Sequence, residues 1–357
     1  MEHTTSLAEL TAALDGAAEV ADTEPMWPAQ SWDPLRAAGV LGWSISTEYG
    51  GQDRPVSELL DGYAQLAAGC LTTSFILSQR EAAVRRIADS ANAALCRELL
   101  RPLACGGRYA TVGLSQLTTS RQHGAPALRA ELHADRLLLD GTIPWVTGAA
   151  QADHVVIGAA LSDRRQVLAV LPTTYPGVEV GPPLPLMALQ GSLTAELRCQ
   201  GVELDRRWLL AGPAEQVMGG GRGPGGLETS CLALGLGRAA IAHLEREAVH
   251  RSELRPTAER LEQTRGKLWA VLLALATGSA TGQAAALRAR ANSLVLRATQ
   301  AALTASKGAG FLRGHPAQRW VRQACFFLVW SCPRPAADAT LAYLAGDEER
   351  SSCGWRS

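Results

Sequence analysis

The chain of 357 residues has no excess of charge of either sign. Its 34 basic residues balance 34 acidic ones, and only Lys267 and Lys307 are lysines. A neutral chain lacks the broad positive surface with which proteins bind nucleic acid or anionic lipid. We therefore expect neither nucleic acid nor a membrane among its partners. The composition is otherwise that of a globular protein, with 47% hydrophobic and 19% charged residues.

Long apolar runs are also missing, because no stretch reaches the roughly 18 consecutive apolar residues that a membrane-spanning helix needs. The acidic N-terminus does not have the charged and then apolar pattern of a signal peptide. The eight cysteines are scattered and form no CxxC pair, which argues against a metal site and against a disulfide framework. We expect reduced thiols, no metal and a cytoplasmic location.

Several common catalytic motifs are absent or fail on inspection. The chain has no GxxxxGK[ST] phosphate-binding loop and no HExxH zinc motif. The segment Gly221-Arg-Gly-Pro-Gly-Gly226 matches GxGxxG, but no strand pattern precedes it and glycines surround it. We interpret this segment as a linker. Gly113-Leu-Ser115-Gln-Leu117 lacks the last glycine of a nucleophile elbow.

The hydrophobic pattern divides the chain into three parts, as expected for a length that corresponds to about two or three domains. Residues 1–107 have apolar residues at three- and four-residue spacing, typical of helices such as one predicted over Gln79–Leu103. Residues 108–213 contain short β-type runs that indicate a compact barrel or sandwich, and Asp140-Gly141 predicts a hairpin turn. Residues 225–347 return to long helical patterns joined by short loops, typical of an antiparallel bundle.

Five segments in the same order as in a known family carry a more specific signal. They are Leu35-Arg-Ala-Ala-Gly-Val-Leu-Gly-Trp43 with Glu48-Tyr-Gly-Gly51; Leu139-Asp-Gly-Thr-Ile-Pro-Trp-Val-Thr147 with Ala152-Asp153; Pro176-Gly-Val-Glu-Val-Gly181 through Leu189-Gln-Gly-Ser192; Ala233-Leu-Gly235 with Arg251; and Gly308-Ala-Gly310-Phe311 with Pro316, Arg319 and Arg322. Together these segments resemble the acyl-CoA dehydrogenase family over nearly the whole chain.

This resemblance implies an α+β multidomain fold with an N-terminal α-helical domain, a central β-barrel and a C-terminal four-helix bundle. It also implies an FAD cofactor, an acyl thioester substrate carried on CoA or an acyl carrier protein, and a homodimer or homotetramer. The expected activity is α,β-dehydrogenation, in which a carboxylate removes the α-proton while a hydride leaves the β-carbon. The reduced flavin of such an enzyme then passes its electrons to an electron-transfer partner.

The site residues that the resemblance implies begin with Trp145 and Thr147. They alternate along one strand face, so the ring and the hydroxyl can project together. By resemblance, Trp145 packs on the flavin and Thr147 bonds near its N5 atom, while Leu114 and Ser115 meet the flavin from a neighbouring strand. Arg251 matches an arginine that reaches the pyrophosphate of a neighbouring subunit's FAD. Gly308 and Gly310 match the family's glycine-rich cofactor motif.

The chain departs from the family at the catalytic base. Where the family has a glutamate, this chain has Ser331, and a serine hydroxyl without a partner is too weak to remove an α-proton. The following threonine is replaced by Pro333, and the first glycine of the family's glycine pair is replaced by Lys307. Some family members carry the base on the first helix of the bundle instead. The nearest carboxylate to that position is Glu228, which we predict as the base.

The family's loop for the acyl thioester is also changed, to Ser115-Gln-Leu-Thr-Thr-Ser-Arg-Gln122. Three hypotheses therefore remain. The first is an FAD-dependent oxidoreductase acting on an acyl thioester, with Glu228 or an unidentified group as the base. The second is a flavin-dependent monooxygenase or oxidase on the same fold, which needs no α-proton base. The third is a non-catalytic, degenerate member that binds a partner or a thioester.

Overall fold

A computed structural model describes residues 5–118, 126–218, 227–330 and 334–345 of the chain. Helices form the first and last parts, and strands form the middle, so the predicted order of helical domain, β-domain and helical bundle is confirmed. Among the described residues, no helix combines the length and the apolar character needed to cross a membrane. The domain boundaries at 107, 213 and 225 stay predictions, as does the end of the bundle at 347.

The N-terminal part is built from α1 (Leu7–Thr23), α2 (Ala29–Ala37), α3 (Val56–Gly69), α4 (Leu71–Ala88) and α5 (Ala93–Ala104). Helix α1 starts at a capping box, in which the Ser6 hydroxyl accepts from the Glu9 amide and the Glu9 carboxylate accepts from the Ser6 amide. The single helix predicted over Gln79–Leu103 is wrong. The chain breaks before Asn92, whose side chain accepts from the Leu95 amide and so caps α5.

In the described residues of the middle part, eight strands form one mixed sheet, with the short helix α6 (Ser115–Thr118) after the first strand. The strands are β1 (Ala110–Gly113), β2 (Leu128–Leu132), β3 (Arg136–Val146), β4 (His154–Ala160), β5 (Gln166–Pro172), β6 (Val178–Pro183), β7 (Ala195–Asp205) and β8 (Leu209–Ala214). Their order is β6-β7-β3-β2-β4-β5-β8, and β1 pairs in parallel with β4.

The hairpin turn predicted at Asp140-Gly141 is wrong, because β3 runs straight through these residues. The turn between β2 and β3 lies at residues 133–135, where the His133 amide donates to the Arg136 carbonyl. Gly141 has a different role: its φ is +129°, and a Cβ there would lie 2.1 Å from the Ala127 carbonyl oxygen. The glycine allows close approach of two backbones at an irregularity in the β3–β7 pairing.

The C-terminal part contains α7 (Leu227–Ala248), α8 (Arg255–Ala276), α9 (Ala284–Ser306), α10 (Pro316–Phe326) and α11 (Arg334–Leu344). Helix α7 packs against α8, α9 and α10 within the bundle and against α3 of the N-terminal part. The α3–α7 contact explains Gly235, since a Cβ at this position would lie 2.4 Å from the Ala64 carbonyl oxygen.

A fully buried carboxylate, Asp22, joins the three parts of the chain. One of its oxygens accepts from the Leu189 amide in the β-domain and from the Gln323 side chain on α10, each at 2.9 Å. Its other oxygen is paired with Arg322 at 2.6 Å. A buried carboxylate is tolerated only when it is paired and hydrogen-bonded, so these contacts fix α1, α10 and the Leu189 loop relative to each other.

Candidate active site

A cavity of about 850 Å³ lies where the three parts of the chain meet. Its walls are mainly apolar, with a few polar and charged side chains among them. The lining residues are Phe75, Ser78, Gln79, Ala82, Arg85 and Arg86 of α4; Val112, Leu114 and Ser115 near the end of β1; Trp145 and Thr147 of the β3 end; Leu186–Leu189, Thr194 and Met218; Glu228 and Thr229 of α7; and Arg322, Cys325, Phe326 and Leu328–Trp330 around the end of α10.

Trp145 and Thr147 both line this cavity. The indole of Trp145 is 48% exposed, although Val146 beside it is fully buried, so the ring presents an uncovered face at the cavity wall. Thr147 is buried, and its Oγ1 accepts a long hydrogen bond of 3.4 Å from the Thr194 hydroxyl, which in turn lies 2.9 Å from that of Ser192. A line of three hydroxyls thus ends at Thr147 in the cavity wall.

The cavity wall next to the end of β3 includes a loop with unfavourable backbone geometry. Leu189 and Leu193 have φ values of +62° and +45°, although neither is a glycine. Such conformations cost roughly 1–3 kcal/mol each and persist where the surroundings hold them. Here Asp22 accepts from the Leu189 amide, and the Gln190 side chain donates back to the Leu186 carbonyl. The strained loop thereby places Leu186–Leu189 and Thr194 against the cavity.

Leu114 and Ser115 reach the cavity from the junction of β1 and α6. The side-chain amide of Gln116 holds this junction, because its nitrogen donates to the Gly113 carbonyl at 2.9 Å and to the Gly158 carbonyl at 2.8 Å. The backbone at Leu114 is therefore anchored to both β1 and β4. Most of the changed thioester loop, residues 119–122, lies outside the described residues.

Glu228 lies at the start of α7 and also lines the cavity. Its carboxylate forms an ion pair with Arg85 of α4, with 2.5 Å between Oε1 and Nη2. The Arg86 side chain lines the same region, and its Nη1 donates to the Ala82 carbonyl at 2.8 Å. Burial lowers the pKa of Arg86, the neighbouring Arg85 lowers it further, and Glu228 and Asp89 raise it. Ser331, at the family's usual base position, lies outside the described residues.

Aromatic side chains form another wall of the cavity. Phe326 and Trp330 stack with 5.2 Å between ring centroids, and Phe75 meets both rings edge-on at 4.8 and 4.9 Å. Arg288 fixes this group from behind by donating to the Trp330 carbonyl at 2.6 Å. The cavity therefore has an aromatic wall as well as a region where Arg85, Arg86 and Glu228 lie.

Arg251, Gly308 and Gly310 are not among the cavity-lining residues. Arg251 donates to Glu247 at 2.6 Å and to the Ala305 carbonyl at the end of α9 at 2.7 Å. Gly308 and Gly310 follow within a 3-10 helix, Lys307–Phe311. Arg251 therefore lies at the end of α9, which leads into the glycine motif. Neither Arg251 nor the two glycines share the cavity with the other predicted site residues, which are Trp145, Thr147, Leu114, Ser115 and Glu228.

Sequence reasoning did not identify Arg85, Arg86 and the aromatic wall as site residues. Arg85 and Arg86 are consecutive basic residues in a helix whose sequence is otherwise mixed, and nothing in their spacing indicates a cavity. One usable signal was present: Phe326 and Trp330 stand four residues apart directly before the expected base position at Ser331.

Residues 8–107 match the family model described as "Acyl-CoA dehydrogenase, N-terminal domain". The human mitochondrial short-chain specific acyl-CoA dehydrogenase is 24% identical over 329 residues, which cover 85% of this chain and 79% of that protein. The N-terminal part of the chain matches the acyl-CoA dehydrogenase family, and the whole chain is similar to its members. That family consists of FAD-dependent flavoproteins, so FAD is the cofactor to expect in this chain.

Two solved structures agree in fold. A glutaryl-coenzyme A dehydrogenase in complex with glutaryl-CoA has a TM-score of 0.82 at 17% identity and covers 100% of both chains. A dibenzothiophene monooxygenase from Paenibacillus sp. A11-2 has a TM-score of 0.78 at 15% identity and covers 95% of this chain and 96% of that one. Identities this low establish the shared fold alone.

The residues at the cavity suit a flavin. An uncovered indole beside a buried hydroxyl offers one flat apolar surface and one hydrogen-bonding group, the two contacts that a flavin ring requires. The glycine motif suits the cofactor less well. Lys307 occupies its first position with φ +51° and ψ −147°, a conformation that is close to one reserved for glycine.

This backbone conformation gives a testable prediction. Lys307→Gly should raise the free energy of unfolding by about 1 kcal/mol, because relief of roughly 1–3 kcal/mol of backbone strain exceeds the added flexibility of glycine in the unfolded chain. The measurement is chemical unfolding of both proteins under the same conditions. Lys267→Gly is the matched control: Lys267 lies exposed inside α8, where glycine should cost about 1 kcal/mol. Equal losses in both variants would contradict the assignment of strain.

Proposed function

We propose that this protein is an FAD-dependent oxidoreductase that dehydrogenates an acyl thioester between its α- and β-carbons. The observation that carries the proposal is that Glu228 lines the same cavity as Trp145 and Thr147. A carboxylate and a flavin wall in one mostly apolar cavity are the two components that this reaction needs from the protein. The carrier of the acyl group is CoA or an acyl carrier protein.

Glu228 acts as the base in this proposal. It has to be ionised before the reaction, and the Arg85 guanidinium supplies the counter-charge that a carboxylate in a mostly apolar cavity requires. The α-proton passes to Glu228, and the two electrons of the broken Cα–H bond form the double bond as the β-carbon loses a hydride. Apolar side chains such as Phe75 and Phe326 keep water away from the reacting carbons.

FAD, when bound, accepts the hydride from the β-carbon. Trp145 supplies the apolar wall for its ring, Thr147 supplies a hydroxyl, and Leu114 and Ser115 line the same space. Arg251, Gly308 and Gly310 serve the phosphate end of the cofactor, and in an oligomer this cofactor belongs to the neighbouring subunit. An electron-transfer protein would be the acceptor of its electrons, in the cytoplasm.

A flavin-dependent monooxygenase is the second candidate function. The observation in its favour is the Arg85–Glu228 pair, because a carboxylate already engaged by an arginine suits a reaction that needs no base. The aromatic wall of Phe75, Phe326 and Trp330 would suit a flat aromatic substrate equally well. In that case reduced flavin and oxygen would supply the chemistry, and Glu228 would keep a structural role.

Trp145→Ala should weaken FAD binding by about tenfold to a hundredfold, because the flavin loses the contact area of one buried aromatic face. Fluorescence titration of the flavin-free protein with FAD measures this loss. Trp145→Phe is the control, since it keeps a flat ring and should retain most of the affinity. Unchanged affinity in Trp145→Ala would rule out Trp145 as the flavin wall.

Glu228→Gln should abolish exchange of the α-protons of a bound acyl thioester with deuterated water, because glutamine keeps the shape and loses the basicity. Loss of a positioned base typically costs 10²–10⁴-fold in rate. Proton NMR of butyryl-CoA incubated with each protein measures the exchange. Glu253→Gln, an exposed glutamate on the same part of the chain, should exchange at the parent rate. Exchange at the parent rate in Glu228→Gln would remove Glu228 as the base.

We further propose a homodimer or homotetramer assembled through the C-terminal bundle. Large apolar side chains are exposed close in sequence to Arg251 and to the glycine motif: Val249 is 73% exposed, Phe311 83% and Leu312 65%. Light scattering at micromolar concentration should give a multiple of the 37.7 kDa chain mass, and Phe311→Glu should shift the protein toward the monomer. A monomeric parent protein would refute this assembly.

A further inference from the structure

The charged region of the cavity holds more positive than negative charge. Three arginines line the cavity: Arg322 is paired with the buried Asp22, and Arg85 is paired with Glu228. Arg86 forms no ion pair within the described part of the chain, and its Nη1 donates only to a carbonyl of its own helix. One guanidinium therefore faces the cavity without a carboxylate of its own.

Such a charge is costly to keep in a mostly apolar cavity. Taking a guanidinium out of water without a counter-charge lowers stability, and burial together with Arg85 already lowers the pKa of Arg86. The exposed Asp89, one helical turn away, stays beyond ion-pair distance. An arginine held in this way commonly binds an anionic group of a ligand, because its planar guanidinium can donate hydrogen bonds to two oxygens at once.

We propose that Arg86, beside the Arg85–Glu228 pair, binds a carboxylate at the far end of a short dicarboxylic acyl chain. This inference rests on the proposed function, since it names the class of acyl thioester that the enzyme dehydrogenates. The substrate's carboxylate takes one guanidinium while Glu228 keeps the neighbouring one, so the charges in the cavity balance.

The position of Arg85 limits the length of the acyl chain. Its Nη2 lies 2.5 Å from a carboxylate oxygen of Glu228, and a base must come within about 3 Å of the carbon-bound proton it removes. A carboxylate that meets this arginine pair is therefore only a few bonds from the α-carbon, as in a succinyl or glutaryl group. A long fatty acyl chain would instead place apolar carbons against two guanidinium groups.

A phosphate group of the acyl carrier is also an oxyanion, and it could bind to Arg86 in place of an acyl carboxylate. The phosphopantetheine arm separates that phosphate from the thioester by many bonds, whereas the arginines lie beside the proposed base. This distance favours the acyl carboxylate. The experiment must nevertheless separate the two sources.

The test is calorimetric binding to the FAD-loaded protein of unreactive thioether analogues, in which a methylene replaces the thioester carbonyl. The analogue of succinyl-N-acetylcysteamine carries the carboxylate and no phosphate, the butyryl analogue carries neither, and the butyryl-CoA analogue carries phosphate only. The parent should bind the succinyl analogue about tenfold to a hundredfold more tightly than the butyryl one. Arg86→Met should remove this preference, and Arg101→Met, an exposed arginine on α5, should keep it.

The variant Glu228→Gln tests the proposal independently, because it should strengthen binding of the succinyl analogue, whereas Arg86→Met should weaken it. Removing the competing carboxylate frees Arg85, so the succinyl analogue should bind more tightly while the butyryl analogue is unaffected. Equal binding of the two small analogues by the parent protein would overturn the proposal. An Arg86-dependent preference for the CoA analogue would overturn it in favour of the carrier phosphate. Because binding of these analogues involves no proton removal, failure of the proposed dehydrogenation would leave this result untouched.

Discussion

One ion pair, between Arg85 of α4 and Glu228 of α7, sets the character of the cavity. It connects the N-terminal helical part with the bundle in a cavity whose walls are mainly apolar. Each partner would be unfavourable there alone, because a charge removed from water needs a counter-charge. The pair therefore allows a carboxylate to exist in a cavity that otherwise suits hydrocarbon and aromatic groups.

Other buried contacts hold the walls of the cavity in place around this ion pair. Asp22 fixes α1, α10 and the loop at Leu189 with one buried carboxylate, and Gln116 anchors the β1 end to β4. Strain in the loop, with Leu189 and Leu193 at positive φ, is maintained by these contacts. Three parts of the chain that are distant in sequence thus contribute walls to a single cavity.

Several residues of the candidate site could be predicted from the sequence. Trp145 and Thr147 were identifiable from the resemblance to the family, with which strand alternation agrees. Glu228 was identifiable as the carboxylate nearest to the position where some family members carry the base. Tertiary contacts could not be predicted in the same way. Asp140-Gly141 has the composition of a turn, yet Gly141 lies inside β3, where it allows the backbone at Ala127 to come close. The partner of Glu228 lies more than a hundred residues away on α4, and no local pattern connects the two.

The central claim is that the flavin wall and the base act on one substrate in this cavity. Its most direct test is the visible absorption spectrum of the FAD-loaded protein, mixed without oxygen with short-chain acyl thioesters. The account predicts that the oxidised flavin bleaches as it takes up the hydride from the substrate. Flavin that stays oxidised with every thioester, yet consumes oxygen once it is reduced by an external donor, would contradict the account and establish the monooxygenase alternative.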